Sequence, residues 1–232
     1  MKSEVSIGVL NLDVEPERLS PQEDSPGYLR CDGTFDFRVK KEIVREATIE
    51  RVVAGEPELI PNFVEAAKKL EARGVQGIVG DCGFIAAYQP EITKAVSVPV
   101  ISSSLILVPL VYRTLTANKK VGILTANSEI LSEKHFNAVG WSSKDIPVAI
   151  KGINELQNVN PEFNKREKDV VRLARELVKD NPDIGAFVIE CTVFQPYSHA
   201  IREATGLPVF DITTAARLLH DAADPPNYEE RQ

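Results

Sequence analysis

The chain has 232 residues, 43% hydrophobic and 26% charged, which suits a globular protein with one large core or two small ones. A net charge of −7 without a basic cluster argues against nucleic acid as the main partner. No apolar run approaches the roughly 18 residues of a membrane-spanning helix, the N-terminal VSIGVL is too short for a signal peptide, and an odd three cysteines fit a reducing compartment. The expectation is a cytoplasmic protein with no membrane and no nucleic-acid partner.

In chain order, Val5 to Leu10 reads as a first strand, with Asn11 to Asp13 as the loop at its C-terminal end. Leu12 to Gly33 contains Pro16, Pro21, Pro26, Gly27 and Gly33 and has no period, so it reads as a surface loop or as a flap over the site. Phe35 to Val44 suggests an edge strand. Glu58 to Arg73 is an amphipathic helix, with Ile60, Phe63, Ala67 and Leu70 on one face and Gly74 as its stop. Gly77 to Gly80 and Val98 to Ile101 are short apolar strands around a helical stretch. Ser102-Ser103-Ser104 then opens an apolar helix over Leu105 to Leu115. Lys120 to Leu124 is a strand, Ser128 to Val139 a helix, Pro147 to Ile150 a strand and Glu162 to Asp180 a long helix. Ala186 to Ile189 and Leu207 to Phe210 are again short strands around a helix. Asp211 to Ala223 is the last helix, and a frayed tail follows from Asp224.

The chain repeats itself. Gly77 to Ser102 aligns without a gap on Ala186 to Asp211, so that Asp81 meets Glu190, Cys82 meets Cys191, Tyr88 meets Tyr197 and Pro99 meets Pro208. The N-terminal Ile7 to Leu10 likewise matches Val121 to Leu124. Two related halves follow, each with a βαβ rhythm: an α/β fold of two pseudo-symmetric lobes, each a mainly parallel sheet flanked by helices. Residues 1–103 with 212–232 form the first lobe and residues 104–211 the second. Each cysteine lies just past the C-terminal end of a strand, where open α/β sheets bind ligands. Each also lies close to a following helix, whose oriented N–H groups would favour a thiolate.

Facing lobes place Cys82 and Cys191 on opposite sides of one cleft. Inversion of a carbon with an acidic hydrogen needs a base on one face and an acid on the other, and a pair of thiols can fill both roles. Strand-end residues Asn11, Thr125, Asn127 and Thr192 are candidates to hold a carboxylate, or are simple helix caps. Asp81 and Glu190 either tune the thiols or form strand-end hydrogen bonds; the second role is favoured, because neighbours along a strand point to opposite faces. Tyr88 and Tyr197 read as packing residues, His199 as a helix-surface residue and Cys31 as incidental. The histidines His135, His199 and His220 lie in separate segments, and no metal motif is present.

The cysteine segments, the Pro-Val strands and the repeat resemble the cofactor-independent aspartate/glutamate racemase superfamily, which includes hydantoin racemases. Cys191-Thr192 is similar to that family's second cysteine motif, and Pro196-Tyr197 follows as in unassigned members. The first motif departs: the amino-acid racemases carry Cys-Asn-Thr where this chain has Cys82-Gly83-Phe84. The resemblance implies a small-molecule substrate between two lobes, contacts from Gly83 and Phe84, no cofactor and no metal, and a homodimer or higher homo-oligomer. It implies an isomerase of amino-acid metabolism, independent of pyridoxal phosphate: a racemase or epimerase inverting a carbon next to a carboxyl or carbonyl of an amino acid or hydantoin-like compound. Two cysteines speak against the arylmalonate decarboxylase branch, which relies on one. The alternatives are a cis-trans isomerase of a maleate-like diacid, working by thiol addition, and a silent small-molecule binding protein on the same fold.

Overall fold

The computed structural model describes residues 4–15, 25–153 and 163–226. Among these residues eight parallel strands form two four-stranded sheets. The first contains β1 (Ser6–Leu12), β2 (Arg38–Val44), β3 (Gly77–Gly80) and β4 (Val100–Ile101) in the order β2-β1-β3-β4. The second contains β5 (Lys120–Thr125), β6 (Val148–Gly152), β7 (Ile184–Ile189) and β8 (Val209–Phe210) in the order β6-β5-β7-β8. The strand orders are the same, so the internal repeat covers whole sheets and not only the cysteine segments. In both, the central strands are mostly apolar and buried, as sheets covered on both faces require: every residue of β1 and β3 is buried.

Helices flank both sheets. α1 (Ile49–Ala54) and α2 (Ile60–Ala72) follow β2, α3 (Gln89–Ala95) joins β3 to β4, and α4 (Val108–Thr114) packs on β5. In the second half come α5 (Glu133–Ala138), α6 (Phe163–Asp180), α7 (Ser198–Thr205) and α8 (Ile212–Ala223), the last returning to pack on β1 and β3. α2 buries Phe63, Ala67 and Leu70, the stripe expected of it. One buried cluster runs from Ile7, Val9 and Ile78 of the first sheet to Val121, Ile123 and Val188 of the second, so the sheets share a core. A smaller cluster sits under α6, around Val170, Leu173 and Phe187. Among the described residues no helix is long and apolar enough to cross a membrane.

Three local expectations change for physical reasons. The helix expected over Ser128 to Val139 is only Glu133–Ala138, because Asn127 Oδ1 accepts from the amides of Glu129 and Ile130 and closes a turn first. The helix then starts where Ser132 and His135 form a capping box. The helix expected over Leu105 to Leu115 is split into a 3-10 turn, Ser104–Leu107, and α4, with Pro109 in the first turn of α4 where its missing N–H costs nothing. α1 was not expected at all; it is one and a half turns long, started by Thr48 and stopped by Gly55 with φ of 65°. Of the long segment Leu12 to Gly33, residues 16–24 lie outside the described residues, as do residues 227–232 of the tail.

Candidate active site

Cys82 and Cys191 each sit two residues past the end of a central strand, β3 and β7 respectively. Each is followed at once by a six-residue 3-10 turn, Gly83–Tyr88 and Thr192–Tyr197. The two cysteine loops are packed directly against each other. Gly83, next to Cys82, lies so close to Glu190, next to Cys191, that a Cβ at position 83 would overlap Oε1, Cδ and the backbone carbonyl of Glu190. On the other side, Thr192 Oγ1 donates to the carbonyl of Asp81 at 2.7 Å. Tripeptides 81–83 and 190–192 are therefore bonded flank to flank, each centred on a cysteine. Ser104 Oγ adds a second cross-tie, donating to the Ile189 carbonyl at 2.6 Å. Within the first sheet Gly80 lets the chain after β4 come close, since a Cβ there would overlap the Ser102 carbonyl.

The environment raises both thiols. Burial, the Glu190 carboxylate and the charges of Cys191 and Asp81 hold Cys82 well above its usual value, against one helping N–H from Phe84. Burial and Glu190 push Cys191 up to about 12, opposed by the N–H groups of Val193 and Phe194 and by the Arg166 guanidinium. The expected lowering by a helix start is outweighed. The segments after the cysteines are short 3-10 turns with few aligned dipoles, and a carboxylate stands beside both sulfurs. Cys191 is buried and Cys82 half-buried.

Glu190 is the residue whose weight the sequence understated. It is 1% exposed, and burial pushes its carboxyl up to about 7 against the Thr125 hydroxyl, which donates to Oε2 at 2.7 Å. Oε1 is buried with no hydrogen-bond partner. Asp81, its counterpart in the repeat, is held differently: Arg30 Nη2 pairs with Oδ2 at 2.9 Å and Asn11 Nδ2 donates to the same oxygen at 3.3 Å. Arg30 also donates to the Leu12 carbonyl at 3.0 Å. It belongs to a strap across the loops, in which Gln195 Nε2 donates to the Gly27 carbonyl at 2.6 Å and the hydroxyls of Tyr28 and Tyr197 meet at 3.2 Å. No periodicity in the sequence announces this strap.

The other sequence candidates are placed as follows. Thr125 is fully buried on Glu190, and Asn127 spends its side-chain oxygen on loop amides. Asn11 is buried beside Asp81, with its Oδ1 unpartnered. Phe84 is buried, its ring edge-on to His135 at 5.2 Å between centroids. Tyr88 and Tyr197 are fully buried, and His199 is exposed on α7. Among the described residues no group of three or more metal-ligating side chains converges.

No protein-family model matches this chain. Individual proteins do. Over 96% of the chain it is 31% identical to the dimethylsulfoniopropionate lyase of Durusdinium sp. clade D, spanning 77% of that protein. The chain belongs to the dimethylsulfoniopropionate lyase family. It is also 32% identical to dimethylsulfoniopropionate lyase 3 of Emiliania huxleyi, of whose length it spans 61%. Among solved structures, unliganded arylmalonate decarboxylase superimposes over 93% of both chains at 15% identity with a TM-score of 0.56. Picrophilus torridus aspartate racemase does so over 97% of both chains at 14% identity with a TM-score of 0.52. Those likenesses establish a shared fold.

Membership of the lyase family corrects the expected chemistry. The racemase or epimerase reading, with the isomerase class and amino-acid metabolism attached to it, gives way to a lyase family, although the fold is that of the racemases. The physical reason is that both reactions can start at a hydrogen next to a carboxyl group. They part at the neighbouring carbon, according to whether it carries a leaving group, and that atom belongs to the substrate. The departure at the first cysteine motif has a packing reason. The racemases' asparagine cannot stand at position 83 here, because the Glu190 carboxyl fills the space its Cβ would need.

Proposed function

We propose that this chain is a lyase acting on a small carboxylate that carries a dimethylsulfonium group on its β-carbon, the chemistry named for its relatives. Family membership carries the reading, and the paired thiols at the strand ends support it. A base removes a hydrogen from the carbon next to the carboxylate. The electron pair forms the carbon–carbon double bond, the bond to sulfur breaks, and dimethyl sulfide leaves as a neutral molecule. The products are acrylate, dimethyl sulfide and a proton on the base.

This elimination needs one base, since the leaving group takes no proton. Cys191 suits that role better than Cys82. Glu190 disfavours both thiolates, but two backbone N–H groups and the Arg166 charge favour that of Cys191, whereas Cys82 has one N–H and the Asp81 charge against it as well. Cys82 then serves as the neutral thiol beside the substrate carboxylate, where charge builds as the hydrogen leaves. Proton NMR of protein with dimethylsulfoniopropionate in deuterated water tests the reaction type. Acrylate and dimethyl sulfide forming in equal amounts support elimination. Hydrogen exchange without any alkene product contradicts it.

A further inference from the structure

The two lobes build the same acid cluster and complete it differently. In each sheet the order of the strands reverses between the two central ones, β1 and β3 or β5 and β7. The carboxyl ends of such strands are where open sheets take ligands. In the first lobe Asn11 of β1 donates to Asp81, just past β3, and Arg30 brings a guanidinium to the same carboxylate oxygen. In the second, Thr125 of β5 matches Asn11 in the repeat, Glu190 matches Asp81, and the same bond forms between them. The counterpart of Arg30 is missing. Among the described residues no cationic side chain pairs with Glu190, and its Oε1 is buried without a partner.

We propose that the missing cation is the substrate's: Glu190 is the counter-charge by which the site selects a positively charged group on the β-carbon, the dimethylsulfonium group in the lyase reading on which this inference rests. A sulfonium carries positive charge but no N–H or O–H. It meets a carboxylate through charge alone and forms no hydrogen bond, which suits an oxygen that the chain leaves unbonded. Glu190 is 1% exposed, and attraction between charges is far stronger at such a place than in water. Gly83 lays only backbone over the carboxyl, where a Cβ would displace it, so the charge stays against the two cysteine loops. Asp81 is neutralised within the chain by Arg30, which leaves Glu190 as the acid of the pair able to answer a ligand's charge. A cation beside Glu190 also offsets the carboxylate that raises both thiols, so the bound leaving group helps to make the base.

The probes are β-alanine betaine and its carbon isostere, tert-butylpropanoate. Both carry the substrate's carboxylate and a group of the same shape, and they differ in the charge of that group. Burial pushes the Glu190 carboxyl up to about 7, so binding is measured by calorimetry at pH ~8, where it is ionised. Wild type should bind the betaine about tenfold tighter or more. Glu190→Gln keeps the size of the side chain and an oxygen for the Thr125 hydroxyl. It should bind the two probes within about twofold of each other and hold the neutral one as wild type does. Glu190→Asp, which keeps the charge, should keep most of the preference. The neutral probe is the internal control, since a merely structural loss weakens both alike.

Wild type binding the two alike, neither probe binding, or a preference that survives in Glu190→Gln overturns the proposal, as does a preference lost equally in Glu190→Asp. Should Glu190→Gln fail to fold, Glu190→Met, neutral and of similar size, is read by the same outcomes. Neither probe has to react. Absence of dimethyl sulfide release would remove the lyase reading and leave the charge preference to stand or fall on these affinities.

Discussion

Gly83→Ala is the most direct probe of how the two cysteine loops are packed. The new Cβ overlaps three atoms of Glu190, two in the carboxyl and one in the backbone carbonyl. The carboxyl can move only by leaving the Thr125 hydroxyl, and the carbonyl is fixed at the end of β7. Overpacking of this kind costs about 1–3 kcal/mol, and a displaced charge-assisted hydrogen bond adds about 1.5–3 kcal/mol. The expected loss is therefore about 2.5–6 kcal/mol, a fall of about 5–24 °C in Tm for a chain of this size. Urea denaturation of wild type, Gly83→Ala, Glu190→Ala and the double variant separates the parts. With the carboxyl gone, Gly83→Ala should cost at least ~1 kcal/mol less, because only the clash with the carbonyl remains. A single variant within ~0.5 kcal/mol of wild type, or costs that add within ~0.5 kcal/mol, would refute the packing described.

Cys191→Ala should abolish turnover, while Cys82→Ala should lower kcat by about a hundredfold or more and leave alkylation of Cys191 intact; turnover abolished by Cys82→Ala but retained in part by Cys191→Ala would reverse the assigned roles. Stability should also depend on Glu190. Its folded pKa of about 7 lies above its ordinary 4.5, so between these values the native state holds a proton that the unfolded state has released. Stability is then full below pH ~4.5 and falls as pH rises to ~7, by about 3 kcal/mol. Glu190→Gln should lack this fall, and equal slopes of stability against pH in the two proteins would argue against a buried carboxyl. Arg30→Met removes the pair with Asp81 and the bond to the Leu12 carbonyl. A cost of about 2 kcal/mol is expected, with faster limited proteolysis between residues 25 and 34; an unchanged cleavage rate would show that Arg30 does not secure the strap.

The sheets were legible because their signal is local. Short apolar runs such as Gly77 to Gly80, spaced by helical stretches, can only be central strands, and the register of the repeat carries Cys82 onto Cys191 without a gap. The pairing of the loops was legible in outline for the same reason. What holds them together was not: Thr192 reaching Asp81, Gly83 lying against Glu190 and Ser104 reaching Ile189 are contacts between residues 85 to 111 positions apart. In the sequence, alternation along a strand points Glu190 away from the cysteine and so favours a strand-end hydrogen-bonding role over one on the thiols. Beyond the strand end the backbone turns, alternation lapses, and the side chain buries itself beside both thiols. α1 was too short to show a period, and Asn127 as a turn cap competes with helix in a way composition does not reveal. The reaction class was outside the reach of the fold, since the atom that separates inversion from elimination belongs to the substrate.

Headspace gas chromatography of purified protein incubated with dimethylsulfoniopropionate reads the proposed carbon–sulfur cleavage without a coupled step. With Cys191 as the base, dimethyl sulfide should form in proportion to enzyme and time, with none above the buffer control from Cys191→Ala. No dimethyl sulfide from folded wild type, or equal release from Cys191→Ala, would contradict it.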